Sequence, residues 1–267
     1  LPDMEWAQQE PDFVAGEFVW TGFDYLGEPT PYIANWPSRS SYFGIIDLCG
    51  LPKDRYYLYQ SHWSDRKVLH LLPHWNWQGR EGQIIPVYVY TNYPSAEIFI
   101  NGVSFGKKYF NPDSLLDRYR LRWYNTIYTP GELKVVAYDR NGKIASTQVV
   151  HTASAPAAIH LQTTSRHLLP DGTDIAFITV SVTDKDGHLC PTADNTIHFT
   201  VNGAGTLRAV GSGNPASLES FQANERKAFS GKCMLIVQSK TTPGMIGIAA
   251  EAAGLKGAGM TIPVEEE

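Results

Sequence analysis

The pair Asn101-Gly102 constrains this chain more than any other feature. It separates two runs of β character, residues 96–100 and 103–110, and Asn-Gly accepts positive φ at both centres of a type I′ turn. The flanks are therefore expected to close as a β-hairpin. The same grammar recurs at residues 133–139 and 143–151, which sit on either side of Arg140-Asn141-Gly142. Residues 84–91 alternate in the manner of a strand. Farther on, residues 175–183, 196–202, 233–239, 245–251 and 259–264 read as short strands spaced as in an immunoglobulin-like sandwich. Helical periodicity disappears after Ser64. The expected class is mainly β.

Before Ser64 the texture differs. Gly16-Glu17-Phe18-Val19-Trp20 is a short apolar run that opens into a long loop carrying Gly22, Gly27, Pro29 and Pro31. Pro52 stands at a first-turn position ahead of an unbroken helix-compatible body, so a helix is expected over residues 52–62. The small, proline-punctuated stretch Thr152-Ala153-Ser154-Ala155-Pro156-Ala157 reads as a linker. Three regions follow: 1–63, a β-sandwich over 64–152, and a second, immunoglobulin-like sandwich over 153–267.

Charge and composition remove several classes of function. The chain of 267 residues has 22 Lys and Arg against 27 Asp and Glu, a net charge of −5, so its overall balance does not suit holding a phosphate backbone. No apolar stretch approaches the roughly 18 to 20 residues that cross a bilayer. Cys49, Cys190 and Cys233 lie far apart, without a paired motif, and read as small buried hydrophobes. Gly211-Ser212-Gly213-Asn214-Pro215 only superficially matches a dinucleotide fingerprint, because Pro215 and polar residues follow where an apolar helix is needed; a turn is expected. His70 and His74 have a helical ligand spacing, but Pro73 lies between them, and four residues of strand span roughly 13 Å. No other metal-like spacing stands out, and no Gly-x-Ser-x-Gly elbow is present.

Carboxylates remain as a route to catalysis. Glu10, Glu17, Asp24, Glu28, Asp47 and Asp54 all lie in the first region. Glycoside hydrolysis with retention needs two carboxyl groups about 5 to 5.5 Å apart, a distance that sequence does not assign to any pair. Around them, Trp20, Phe23, Tyr25, Tyr32, Trp36, Tyr42 and Phe43 offer flat faces to a pyranose, with Asp24, Glu28, Asn35 and Arg39 available to its hydroxyls. The competing reading is that most of these rings fill core.

The run from Gly16 through Trp20-Thr21-Gly22-Phe23-Asp24-Tyr25 to Tyr32, with Ser41-Tyr42-Phe43-Gly44-Ile45-Ile46-Asp47 and Gly50-Leu51-Pro52-Lys53-Asp54, resembles the last strand, loop and helix of the catalytic barrel of glycoside hydrolase family 2. The likeness is to its bacterial β-galactosidase-like members, many of them from Bacteroidetes. Gly211-Ser212-Gly213-Asn214-Pro215, Phe221 and Arg226-Lys227-Ala228-Phe229 resemble the C-terminal immunoglobulin-like domain of the same enzymes. The resemblance implies the remnant of a (β/α)8 barrel, its last strand and helix, followed by two β-sandwich domains. A whole barrel takes about 250 residues, so both catalytic glutamates are expected upstream and the chain alone is expected to be inactive. The start at Leu1-Pro2-Asp3, without an initiator Met, likewise reads as a cut from something longer.

The implied activity of the longer protein is that of a retaining exo-β-glycosidase, a β-galactosidase, acting on β-galactoside oligosaccharide or polysaccharide with no cofactor and no metal. Trp20 matches the tryptophan that lines the galactose subsite, Asp24 and Tyr25 follow it in the loop above the barrel, and Trp36 is placed at the rim. The resemblance also implies a periplasmic or extracellular location. No nucleic acid is expected as a partner, and a homo-oligomer is an open expectation. An alternative reading makes the sandwiches carbohydrate-binding or scaffold modules, on the strength of Trp75, Trp77, Tyr88, Tyr90 and Tyr93; against it stands a plain sandwich core. Residues 1–50, short of barrel neighbours, are expected to pack on the middle sandwich or on another copy, with the helix at 52–62 keeping its contact with the second region.

Overall fold

A computed structural model of the chain describes residues 6, 13–16 and 18–266. Apart from one helix, α1 (Asp54–Trp63), the named elements are strands. The chain parts into two compact units. The first takes in residues 1–22, 43–46 and 52–152, the second residues 23–42, 47–51 and 153–267. The units meet in sequence at Thr152 and Ala153, inside the expected linker, and the expected first region is shared between them.

In the first unit, β1 (Leu69–Leu72), β2 (Val87–Thr91) and β5 (Leu121–Trp123) form a three-stranded antiparallel sheet in the order β1-β2-β5. A second sheet has the order β4-β3-β6-β7, from β3 (Ser95–Ile100), β4 (Val103–Tyr109), β6 (Glu132–Tyr138) and β7 (Ile144–His151). Period-two alternation sends Ala96, Ile98, Leu133 and Val135 to one face, where they meet Leu71, Val87, Val89, Leu121 and Trp123. Trp75 is fully buried in this core; its Nε1 donates to Thr129 O at 3.0 Å and its ring meets Tyr128 edge-on. The expected hairpin is present: Ile100 pairs with Val103, and Asn101 and Gly102 have φ of 49° and 81°, as a type I′ turn requires. The second hairpin, β6 to β7, is present too. Exposed β4 is an edge strand whose Lys107 and Lys108 discourage further pairing.

Helix α1 runs Asp54–Trp63, within two residues of the expected span, and packs on the first sheet of its own unit. Asp54 Oδ1 lies 2.7 Å from His70 Nε2, and the His70 ring stacks on Tyr57 at 3.9 Å. Leu58, Tyr59, Tyr90 and Trp6 form a small separate cluster beneath it.

The second unit contains two four-stranded antiparallel sheets. One has the order β12-β10-β14-β15, from β10 (Thr196–Gly203), β12 (Glu225–Lys227), β14 (Gly244–Glu251) and β15 (Ala258–Val264). The other has the order β11-β13-β9-β8, from β8 (Ala158–Gln162), β9 (Ile175–Thr183), β11 (Gly205–Gly211) and β13 (Lys232–Ser239). Ala176, Ile178, Val180 and Val182 of β9 and Cys233, Leu235 and Val237 of β13 point inward, against Ile197, Phe199, Ile246 and Ile248. Each such aliphatic side chain contributes about 1.5–3 kcal/mol on full burial, which makes this alternation the main source of the unit's stability. Cys190 and Cys233 are buried free thiols, as expected, while Cys49 is half-buried.

Two expectations need correction. Phe18 and Val19 belong to no strand, and Glu17 lies outside the described residues. The pairing instead begins one step later, where Thr21 O and Gly22 O accept Ile45 N and Ile46 N at 3.1 and 2.9 Å. Parallel strands draw their partners from other βα units, and among the described residues Phe18 and Val19 are paired in no strand. The loop 23–42 does not join the middle sandwich; it forms one compact unit with the C-terminal sandwich.

Candidate functional site

The loop 23–42 is shaped by serines. Ser41 Oγ donates to Asp24 Oδ1 at 3.1 Å and accepts Tyr25 N at 3.1 Å, while Ser41 N and Ser40 Oγ both donate to Tyr25 O, at 2.8 and 3.1 Å. Gly27 N donates to Arg39 O, closing the next rung beside the Leu26–Ser40 bridge. Asp24 is only 7% exposed, so its carboxylate serves first to bracket the loop. Tyr25 Oη donates to Glu28 Oε2. At the far end Tyr32 meets Tyr42 edge-on at 4.7 Å, and Ser38 Oγ lies 2.6 Å from Tyr42 Oη.

This loop is seated on the glycine-rich run of the C-terminal sandwich. Pro215 O accepts both Arg39 N and Ser40 N at 3.2 Å. A Cβ on Gly213 would lie 2.2 Å from Asp47 Oδ2, and one on Gly211 would lie 3.3 Å from Cys49 Cβ. The glycines at 211 and 213 therefore admit close backbone approach by residues 47–51, which accounts for a run that imitates a phosphate-binding motif. Asp47 Oδ1 in turn accepts Cys49 N and Leu51 N, at 3.0 and 2.9 Å, and Cys49 Sγ at 3.3 Å. Burial, reinforced by the Asp47 charge, pushes the Cys49 thiol well up from its ordinary value.

Of the residues expected at a sugar site, the structure brings Asp24 and Tyr25 together through Ser41, and places Trp36 on the same loop. Trp20 lies in the first unit, at the start of the Thr21–Gly22 pairing with Ile45 and Ile46. The core reading of these rings does not describe Trp20, Phe23 or Trp36, which are 70%, 58% and 77% exposed. Among the carboxylates, Glu10 and Glu17 lie outside the described residues, whereas Asp24, Glu28, Asp47 and Asp54 each hold a local structural partner. The serines that organise the loop left no signal in the sequence, since nothing local ties Ser41 to a carboxylate 17 positions earlier.

In the second unit Asp184, Asp186 and His188 bring ligand atoms within 4.8 Å of one another, a grouping the sequence reading passed over. It is a hairpin turn built on Asp184, whose carboxylate accepts Ser154 N, Asp186 N and His188 N at 2.8 to 3.0 Å. Burial acts to raise that carboxyl, but the backbone donors and His188 outweigh it and hold it well below the carboxylate range. In the first unit, Trp75 is core and Tyr90 is buried, so two of the five rings behind the carbohydrate-module reading serve packing. Among the described residues no helix is long and apolar enough to cross a membrane.

Comparison with known proteins places these units. Residues 159–261 match the family described as glycoside hydrolase family 2 C-terminal domain 5, and residues 82–146 match a domain of unknown function, DUF4982. The β-galactosidase BoGH2A of Bacteroides ovatus is 47% identical over 256 residues, 96% of this chain and 29% of its own length. A β-glucuronidase of Formosa agariphila is 28% identical over 82% of this chain and 22% of its own length. The crystal structure of a β-glycosidase from Bacteroides vulgatus superposes with a TM-score of 0.85 at 37% identity, covering 93% of this chain and 31% of that one. The chain thus spans less than a third of the length of these relatives.

Proposed function

We propose, since this chain belongs to glycoside hydrolase family 2 and carries that family's C-terminal domains, that it forms the C-terminal portion of a retaining exo-β-glycosidase, a β-galactosidase. The observation that carries this reading is the 47% identity, sustained over 96% of the chain, to a β-galactosidase of which it spans 29%. In the longer protein one glutamate attacks the anomeric carbon, and a second protonates the leaving oxygen and then activates water. Neither belongs to this chain.

What this chain supplies is lining and support. Trp20 offers a flat apolar face to the C–H face of the sugar, Tyr25 follows it in the loop above the barrel, and Trp36 stands at the rim. Asp24, through Ser41, sets the path of the loop that carries them. Within the second unit the C-terminal sandwich seats that loop, and within the first unit the sheet of β1 and β2 holds helix α1. Incubation of the purified chain with an aryl β-galactoside is expected to give no turnover above a boiled control, while the longer protein hydrolyses it with retention. Turnover proportional to the amount of this chain would overturn the assignment. Hydrolysis by the longer protein of aryl β-glucuronide in preference to β-galactoside would overturn the sugar.

A further inference from the structure

Loops at one end of the first unit's sheets converge on a cleft of about 660 Å³. Ser95, at the start of β3, pairs with Tyr109 and with Tyr138, so the residues that follow β4 and β6 are brought to the turn between β2 and β3. Leu69 pairs with Thr91, which brings the residues ahead of β1 to the same turn. The lining comes from four places in the chain: Lys67, residues 92–94, Phe110 and residues 139–141. The volume falls within the roughly 300–1,000 Å³ of small-ligand sites, and loops gathered at one end of a sandwich are where such sites are commonly built.

The walls are fixed by hydrogen bonds that leave several polar groups unused. Asn92 Oδ1 accepts Val68 N at 3.0 Å and its Nδ2 donates to Arg66 O at 2.7 Å, which clamps the backbone on either side of Lys67. Thr91 Oγ1 donates to Val68 O and accepts Tyr93 N, at 2.7 and 3.1 Å. Asp139 Oδ1 accepts Asn141 N and Lys143 N at 2.8 and 2.9 Å, closing the turn of the β6–β7 hairpin. Asp139 Oδ2, the Asn141 side-chain amide and the Arg140 guanidinium have no hydrogen-bond partner among the described residues. Phe110 packs against the core of the unit while lining the cleft. The exposed Lys67 has its Nζ 5.5 Å from the Tyr93 ring centre, so that face of the ring looks toward solvent and not into the core.

We infer that this cleft binds a neutral glycan through its pyranose rings. Tyr93 and Phe110 supply aromatic surface for the C–H face of a sugar. A carboxylate oxygen, a side-chain amide and two cationic donors offer acceptors and donors together, and a sugar hydroxyl, which both donates and accepts, uses both kinds. The charges are of mixed sign. An anion would meet Asp139, a cation would meet Lys67 and Arg140, and an apolar ligand would cover all of these groups without giving them partners. A polyhydroxylated neutral ligand answers each of these demands. The inference goes beyond the proposed hydrolytic role and does not depend on it, because binding is read without turnover.

The test is NMR titration of the isotope-labelled chain with the β-1,4-linked tetrasaccharides of galactose, glucose, mannose and xylose, each in a separate run. At least one is expected to bind with a Kd of about 1 mM or tighter and to shift the amides of Tyr93 and of residues 139–142. Its affinity is expected to change less than about twofold as salt rises to about 0.2 M, because no charge on the ligand is there to be screened. Tyr93→Ala is expected to weaken binding at least about tenfold and Tyr93→Phe, which keeps the ring, to retain most of it. Should Tyr93→Ala unfold early, Asn141→Ala, at an exposed position, decides instead, with an expected loss of at least about threefold. Absence of shifts with all four ligands overturns the inference, as do shifts confined to other parts of the chain or an unchanged affinity in the deciding variant. Tetragalacturonate bound more tightly than every neutral ligand would also overturn it, by making the cleft an anion site.

Discussion

Replacing Arg226 by alanine tests how the C-terminal sandwich holds the loop at 23–42. Arg226 is 1% exposed, and its Nη2 donates to Val210 O at 2.8 Å while Nη1 donates to Ser217 Oγ at 3.1 Å and Glu219 Oε2 at 3.4 Å. Its guanidinium also stands 5.1 Å from the Phe221 ring centre. One side chain therefore ties the end of β11 to residues 217–221, just beyond the Pro215 carbonyl that receives Arg39 and Ser40. Breaking a buried ion pair from one side costs about 3–5 kcal/mol. The Glu219 side chain keeps 35% of its surface in water and still accepts Ser217 Oγ and Lys227 N, which sets the expected loss near the lower end, about 3 kcal/mol. For a unit of this size that is a fall of roughly 10 °C in the unfolding temperature. Arg226→Met is expected to lose less, because Nε is buried without a partner among the described residues and its desolvation is not recovered. Scanning calorimetry reads the unfolding of the unit, and hydrogen exchange at the Arg39 and Ser40 amides reads the loop. A shift within about 2 °C of wild type, or unchanged protection at those two amides, would refute the reasoning.

Gly213→Ala places a Cβ 2.2 Å from Asp47 Oδ2, and Asp47 cannot swing away without releasing Cys49 N and Leu51 N. The expected cost is about 1–3 kcal/mol, read by thermal unfolding, and an unchanged midpoint would sink the packing argument. Asp184 gives an acid-side dependence: its folded carboxyl titrates below the unfolded value of about 3.9, so its contribution is complete above that pH and is lost as the pH falls toward the folded value. Asp184→Asn is expected to lower stability by about 1–3 kcal/mol at neutral pH and to flatten the unfolding midpoint against pH below about 4. Equal slopes for variant and wild type in that range would count against it.

Much of the architecture could be read from short-range pattern. Asn101-Gly102 dictated a hairpin because a type I′ turn, with positive φ at both central residues, matches the twist of two strands joined through two residues, and Asn-Gly accepts both. Alternation over residues 175–183 and 233–239 named the inward faces of β9 and β13, since a side chain's face is decided by parity once the residue is in a strand. Short β5 and β12, three residues each, gave no such signal; they are strands because a neighbour offers a ladder. The run 16–20 shows the converse, an apolar pattern with no strand at Phe18 and Val19. Trp20, Asp24, Tyr25 and Trp36 were picked out by residue type and family likeness, but the sequence did not say that Asp24 would be buried or that Trp20 and Trp36 would stand exposed.

By itself, then, the sequence determined the mainly β class, the hairpins, the helix near 54–63 and the kinship with a family of glycosidases. Tertiary structure alone decided that loop 23–42 shares a unit with the last sandwich, that Ser41 brackets Asp24, and that Tyr93, Phe110 and Asp139 line one cleft. The reason is physical. Turn chemistry and side-chain parity act between neighbours along the chain, whereas the Pro215 carbonyl meets its partners, and the walls of that cleft meet one another, only after distant segments have been folded together.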